Sequence, residues 1–261
     1  SEWEWTQGSG TPSTYAIDYD VYGRFKGARS FTGNTLDNRN TEQGISYDLN
    51  GNIKTLQRTG TTATIVDNLV YTYTGNQLTA LTENAAPVSG DIYMRGNTAA
   101  GSYTYDADGN LLTDSRQGLN YQYNYLNLLR QVTSGNTLKA AYRYAYNGVK
   151  IGVKGADNRG YDYRGSFIYT RNGSSLTLES VLFGGGRIVA GTNGYEVYYY
   201  LTDHLGSVRA VLDAGGNVKE RNDYYLFGAR QLKGDYPQLT VNREKFNGKE
   251  SQTVGGLGFL D

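Results

Sequence analysis

Short runs in which apolar and polar residues alternate, each broken by a cluster of Asp, Asn and Gly, recur along the chain. In Gly101 to Asp114, Tyr103 and Tyr105 alternate with Thr104, Asp106-Ala107-Asp108-Gly109-Asn110 follows, and Leu111-Leu112-Thr113 leads out. A period of two sends successive side chains to opposite faces of a strand, and Asp, Asn and Gly tolerate the positive φ of a tight turn, so the segment predicts a β-hairpin. Ile45 to Leu56, with Asp48, Asn50, Gly51 and Asn52 between two hydrophobic runs, predicts another, and Leu69 to Leu81 repeats it around Gly75-Asn76. Apolar residues in helical register are scarce.

The turn clusters follow one formula: Tyr, an acidic or amide residue, two spacers, Gly, then Asn or Arg. It reads Tyr19-Asp20-Val21-Tyr22-Gly23-Arg24, Tyr47-Asp48-Leu49-Asn50-Gly51-Asn52 and Tyr105-Asp106-Ala107-Asp108-Gly109-Asn110. Degenerate copies are placed at Tyr125 to Arg130, with Leu129 in the glycine position, and at Tyr144 to Lys150 around Asn147-Gly148; Tyr73-Thr74-Gly75-Asn76 is a shortened one. The marks at 23, 51, 75, 109, 129 and 148 are spaced by 28, 24, 34, 20 and 19 residues. Repeats of that period mean stacked supersecondary units, none able to bury its apolar face alone. The expectation is an all-β fold of antiparallel hairpins, with Gly51, Gly75, Gly109 and Gly148 in or beside turns on the same side of the sheet. Phe31 to Gln43, Thr82 to Gly101 and Asn172 to Ser175 read as polar, variable loops. From about Leu176 the strict repeat lapses, which divides the chain into a repeat region, 1–175, and a different closing element, 176–261.

Composition narrows the class. Tyr 25 and Gly 35 against Pro 3, with 19% charged residues, suit strands and turns. Lys+Arg 25 balance Asp+Glu 25, so no electrostatic footprint for nucleic acid or an anionic membrane is present. The absence of Cys rules out disulfides and Cys-ligated zinc without fixing the compartment. No apolar stretch approaches the roughly 20 residues that span a bilayer. The chain opens on Ser1 and its one Met is Met94, so the sequence reads as a processed product or part of a longer chain.

Candidate chemistry is sparse. His204, between Asp203 and Ser207, could be a base oriented by a carboxylate beside a nucleophile, but neighbours on a strand point to opposite faces, and a turn-fixing role is the favoured reading. Asp106, Asp108 and Asn110 imitate the opening of a calcium loop, yet Gly109 comes fourth rather than sixth and Gln117 stands where a bidentate Glu belongs. Gly184-Gly185-Gly186-Arg187 lacks the Gly-Lys-Ser/Thr of a phosphate loop and reads as a turn or bulge. The tyrosines read as sheet packing, with a sugar-binding platform as the alternative. No catalytic, cofactor or metal site is assigned.

A denser segment runs Tyr198-Tyr199-Tyr200-Leu201-Thr202-Asp203-His204-Leu205-Gly206-Ser207-Val208-Arg209, then Leu212-Asp213-Ala214-Gly215-Gly216-Asn217-Val218, then Tyr224-Tyr225-Leu226-Phe227-Gly228. It closely resembles the RHS repeat-associated core, with Leu226 where that family commonly has Pro, and the upstream units resemble YD repeats of the same family. Asp203, His204, Leu205, Gly206, Arg209, Asp213, Asn217, Phe227 and Gly228 carry the core resemblance. Trp3-Glu4-Trp5, Glu42 to Tyr47, Tyr123 to Leu128 and Lys245-Phe246-Asn247-Gly248-Lys249-Glu250 resemble the Bacteroidota branch. The resemblance implies a spiralled β-sheet shell, as in polymorphic toxins, insecticidal toxin complexes and teneurins, closed by the core. It implies a non-enzymatic segment of a secreted or surface protein that encloses, carries or presents a C-terminal passenger such as a toxin. Expected partners are flanking RHS polypeptide, an associated subunit, or secretion-machinery or envelope protein; no cofactor is expected. The alternatives are an adhesion or glycan-binding module and, more weakly, an autoprotease whose catalytic part lies beyond residue 261.

Overall fold

The computed structural model of the chain describes residues 2–5, 11–86, 100–191, 194–231 and 236–260. Most of the Thr82 to Gly101 loop, with Met94, lies outside the described residues, as do Ser1, Asp261 and the side chains of Trp3, Glu4 and Trp5. The protein is built almost wholly of antiparallel strands, with two short 3₁₀ turns and no α-helix among the described residues. Two compact units form: residues 1–104, 115–117 and 223–234 in one, 105–114, 118–222 and 235–261 in the other.

In the first unit, β1 (Glu2–Trp5), β2 (Ser13–Tyr19), β3 (Phe25–Thr32), β4 (Thr35–Tyr47), β5 (Ile53–Thr59), β6 (Ile65–Thr74), β7 (Gln77–Glu83) and β8 (Ala100–Tyr105) pair antiparallel in chain order. Ile45, Leu56, Leu69 and Leu81, one from each of four successive strands, bury together, and Tyr15, Ile17 and Ala28 form an adjoining cluster. Period-two alternation therefore gives one dry face.

The second unit continues the meander through β9 (Leu111–Asp114), β10 (Leu119–Tyr123), β11 (Leu129–Ser134), β12 (Thr137–Tyr144), β13 (Lys150–Lys154), β14 (Arg159–Arg164), β15 (Phe167–Asn172), β16 (Ser175–Phe183), β17 (Gly186–Gly191), β18 (Gly194–Thr202), β19 (Val208–Asp213) and β20 (Val218–Arg221), again pairing neighbour to neighbour. Leu119, Tyr121, Val132, Ala140, Tyr142 and Val153 form its largest buried cluster, completed by Leu257 from the final segment. Val208, Val211 and Tyr198 form a second, against which Leu239 packs.

Beyond β20 the chain folds back. The short pair β21 (Asp223–Tyr224) and β22 (Arg230–Gln231) belongs to the first unit, where Tyr225 packs on Val66, and Leu226 on both apolar clusters. Residues 236–260 belong to the second unit, where Val254, Leu257 and Phe259 lie on the large cluster. Each unit thus has its dry face covered by a piece of the C-terminal sequence.

One turn recurs throughout. The N–H of its first residue donates to the carbonyl of its fifth, the N–H of its fourth donates to the carbonyl of its first, and the fourth residue has positive φ. This is a type I turn closed by a glycine-type bulge, the frequent three-residue hairpin loop. It occupies 20–24, 48–52, 106–110, 145–149, 203–207, 213–217 and 225–229, with Gly23, Gly51, Gly109, Gly148, Gly206, Gly216 and Gly228 in the left-handed position. Gly75-Asn76 is the tighter form, a two-residue loop between the paired Thr74 and Gln77 with Gly75 at φ +58°. Because strands alternate in direction, the 48–52 and 75–76 turns lie at one end of the first sheet, where Asn52 Nδ2 reaches Asn76 Oδ1 at 3.1 Å. The 106–110, 124–128 and 145–149 turns likewise share one end of the second.

One sequence register needs correction. The copy placed at Tyr125 to Arg130 is instead the turn 124–128, led by Tyr123, with Asn127 at φ +56° in the left-handed position; Leu129 opens β11. Asn tolerates this region next best after Gly, so the motif survives without its glycine.

Candidate functional site

The repeated motif and the returning C-terminal pieces are the two features through which this sheet could hold itself, or anything else, in place. In the motif the Asp side chain completes the turn from within. Asp48 Oδ1 accepts the N–H groups of Asn50 at 2.9 Å and Asn52 at 2.8 Å. Asp20, Asp106, Asn124, Asp203 and Asp213 repeat both bonds on their own turns. The sixth motif residue fixes the other oxygen: Asn52, Asn110 and Asn217 each donate Nδ2 to Oδ2 of their Asp. Asn110 Nδ2 also reaches Asn127 Oδ1 on the next turn. The Asn217 amide, followed by backbone N–H groups and Lys219, holds Asp213 down at about 2. Amide and backbone donors likewise lower Asp48 and Asp106. A calcium-loop geometry at Asp106 would need oxygens that these bonds already occupy.

The motif tyrosine joins one hairpin to the one before. Tyr47 Oη donates to the carbonyl of Phe25 at 2.7 Å, Tyr73 to Ile53 at 2.9 Å and Tyr144 to Leu129 at 2.9 Å. Each acceptor is the residue directly after an earlier turn of the set; Tyr47 and Tyr144 lie partly buried against the core clusters of their units, and Tyr73 is half-buried. Tyr is required rather than Phe because the ring packs while its hydroxyl satisfies a main-chain acceptor.

The signature residues fall into the same scheme. Asp203, His204, Leu205 and Gly206 form one repeat-type turn, in which His204 and Leu205 are exposed tip residues. Ser207, the fifth residue, is buried, and its Oγ accepts the N–H of Asn247 at 3.1 Å. Arg209 is half-buried on β19. Asp213 and Asn217 frame the next turn, and Phe227 and Gly228 the one at 225–229, where Phe227 meets Phe25 edge-on at 5.6 Å. Asp203 Oδ1 is bound to backbone N–H groups, so the arrangement aims the carboxylate into its own turn.

The C-terminal pieces are fastened by charges that the sequence reading did not single out. In the first unit Glu42, fully buried, binds Arg58 at 2.8 Å, and Arg58 binds Asp67 at 3.0 Å. The other Glu42 oxygen accepts the N–H of Leu226 at 2.5 Å. Tyr225 Oη donates to the carbonyl of Thr59 at 2.7 Å, and the Arg58 guanidinium lies over its ring at 5.5 Å. A proline at 226 would lack the N–H that Glu42 accepts. Glu83, paired with Arg116 at 3.2 Å, faces Asp67. Burial, with Glu83 adding to it against Arg58, pushes Asp67 up to about 6.

In the second unit Arg243, from the final segment, grips Glu179 through two bonds of 2.8 and 2.9 Å, binds Glu250 at 2.8 Å and stacks over Tyr161 at 3.8 Å. Arg187, with no exposed surface, pairs with Glu244 and donates to the carbonyl of Val241. Glu250 also receives Lys150 at 3.2 Å and Tyr163 Oη at 2.9 Å. Burial alone would raise Glu250, but Lys150, Arg243 and Tyr163 outweigh it and hold it low. Sequence offered one faint signal for the first clamp: Arg58 lies two residues beyond the inward Leu56, on the same strand face.

Among the described residues no three His, Cys, Asp or Glu side chains form a metal-binding group, and no helix is long and apolar enough to cross a membrane. No curated protein sequence matches the chain. Among solved structures, it is similar to the Tc holotoxin pore of Photorhabdus luminescens at 14% identity over 94% of this chain and 18% of that one, with a TM-score of 0.46. It is similar also to the TcdB2–TccC3 complex at 14% identity, over 94% of this chain and 19% of that one, with a TM-score of 0.45. The chain therefore spans less than a fifth of the length of these solved chains. The Teneurin YD-shell family model matches residues 1–237, and with its motif carried turn after turn by the contacts above, the chain belongs to the YD-shell family.

Proposed function

We propose that this YD-shell segment encloses, carries or presents another polypeptide, with the sequence following it in the full-length protein as passenger. The observation that carries the reading is that each unit has a dry face covered by the chain's own C-terminal sequence, fastened by buried charge clamps. Such a wall separates bound chain from solvent without chemistry of its own, which fits a non-catalytic role. Residues 1–175 then serve as repeat wall and 176–261 as its closing element. Secretion or surface display, with flanking shell sequence or an associated subunit as partner, fits this use. The test is limited proteolysis of the full-length protein carrying any sequence that follows residue 261. That sequence is expected to resist protease until the shell is denatured. Cleavage at the rate of the same sequence expressed alone overturns the proposal.

A second reading has one observation in its favour. Tyr22, Tyr125 and Tyr146 at turn tips are 79%, 90% and 95% exposed, as a glycan-binding surface would need. Saccharide binding lost in a Tyr125→Ala, Tyr146→Ala double variant would support adhesion; no binding by the unaltered protein would remove it.

A further inference from the structure

One buried cluster in the second unit has a composition that exceeds what an ion pair requires. Glu220 on β20 is fully buried, and Asn222 and Asn242 are 1% and 3% exposed. A single oxygen, Glu220 Oε1, receives Lys245 Nζ, Asn222 Nδ2 at 2.6 Å and Asn242 Nδ2 at 3.2 Å. Asn242 also reaches Oε2 at 3.2 Å, and its own Oδ1 is buried without a partner. An amine and two carboxamides thus meet at a buried carboxylate, with the Lys245 side chain 13% exposed.

We propose that this cluster forms an intramolecular isopeptide bond between Lys245 and Asn222, with Glu220 as its catalytic residue. The backbone pins both reactants on one residue of β19. The N–H of Val208 donates to the carbonyl of Lys245 at 2.9 Å, and Asn222 Nδ2 donates to the carbonyl of Val208 at 3.1 Å. Orientation of this kind makes the attack effectively unimolecular, and a buried carboxylate touching both nitrogens can move the proton. Lys245 gives a proton to Glu220, and the neutral amine attacks Cγ of Asn222. The Nζ–Cγ bond forms and the Cγ–Nδ2 bond breaks. Of the two protons the lysine loses, one passes through Glu220 to the departing nitrogen, and the other converts the released ammonia to ammonium. Glu220 returns to its carboxylate, and no oxidant, reductant or further reactant is consumed. Asn242, bonded to both carboxylate oxygens, is the positioning residue. The product would tie the end of β20 covalently to the segment that covers the second unit.

The test is intact-mass spectrometry of the denatured full-length protein, followed by proteolysis. The expected mass is that of the sequence less one ammonia, with a branched peptide joining Asn222 to Lys245. Lys245→Arg keeps the charge pairing and should restore the full sequence mass; Glu220→Gln should do the same. A full sequence mass for the folded, unaltered protein overturns the proposal. So does an ammonia loss that persists in Lys245→Arg, because it would come from succinimide formation at an Asn-Gly pair such as Asn50-Gly51. A branch mapped to Asn242 overturns the assignment of Asn222.

Discussion

The two units fasten C-terminal sequence with the same device, a buried arginine shared by two carboxylates, yet their charge balance differs. Around Arg58 the first unit gathers Arg58 and Arg116 against Glu42, Asp67 and Glu83, two positive groups facing three negative. Around Arg243 the second gathers Arg187, Arg243 and Lys150 against Glu179, Glu244 and Glu250, three facing three. Burial lifts Asp67 to about 6, with the surplus acid Glu83 adding to it, whereas Lys150, Arg243 and Tyr163 outweigh burial at Glu250 and hold it low. Similar burial produces opposite shifts because the number of cations, rather than depth, decides which protonation state is favoured.

The largest expected effect comes from removing either arginine. Arg58→Ala takes the cation from Glu42 and Asp67, and Arg243→Ala takes from Glu179 its two-bond partner and from Glu250 one of its two cations, leaving Lys150; breaking a buried pair in this way costs about 3–5 kcal/mol. Hydrogen exchange should place the damage on β5 and residues 223–231 in the first case and on residues 236–260 in the second. The comparison sharpens with pH. The Arg58→Ala deficit should shrink near pH 5, where Asp67 holds its proton, whereas the Arg243→Ala deficit should persist. Equal pH responses would mean that the charge count is not what distinguishes the clamps.

Next in size is the titration itself. Asp67 has a folded value raised above 3.8, so the folded state holds the proton more tightly, and this group favours folding most below pH 3.8 and progressively less as pH rises to about 6. The amount is on the order of 1–3 kcal/mol. Asp67→Asn should remove that decline, leaving the first unit more stable at pH 7 relative to pH 4 than the unaltered protein. Glu250 has a lowered folded value, so its contribution is present above 4.5 and is lost as pH falls through the folded value. Denaturant midpoints of Asp67→Asn and Glu250→Gln between pH 3 and pH 7 should therefore change with opposite slope.

The repeat was legible because its chemistry is local. Asp48, Gly51 and Asn52 complete their turn within five residues, so type and spacing suffice to find it. The turn at 60–64 is illegible in sequence because it has Ala63 rather than Gly in the left-handed position and no Asp to announce it. The clamps were illegible for the opposite reason. Arg58 lies 16 residues from Glu42, and Arg187 57 from Glu244, and a balanced composition hides which charges go inside. The core signature reads as a unit rather than as three more copies of the same turn, because its leading residues, Asp203, Asp213 and Tyr225, follow one another at 10 and 12 residues, closer than any two marks of the repeat.

A smaller effect tests the tyrosine ladder in each unit. Tyr47→Phe and Tyr144→Phe keep the ring but leave the carbonyls of Phe25 and Leu129 without that donor. Each should cost about 1 kcal/mol in a denaturant titration. Tyr146→Phe, at a turn tip, should cost nothing measurable. Equal losses at all three sites would dissolve the distinction between bridging and exposed tyrosines.

The smallest effect concerns how completely Asn replaces Gly in the turn. Gly51 at φ +87° has open space where a Cβ would stand, so Gly51→Ala meets no clash and pays only for the left-handed backbone, about 1–2 kcal/mol. Asn127 already carries a Cβ at φ +56°, and its Oδ1 accepts a bond from Asn110 on the neighbouring turn at 3.0 Å. Asn127→Gly relieves the backbone and gives up that exposed bond, two changes of a few tenths of a kcal/mol each and of opposite sign. The net shift in denaturant midpoint should be near zero. A loss as large as that of Gly51→Ala would mean that the side-chain bond between turns, rather than the turn's own backbone geometry, holds successive units of the second sheet in register.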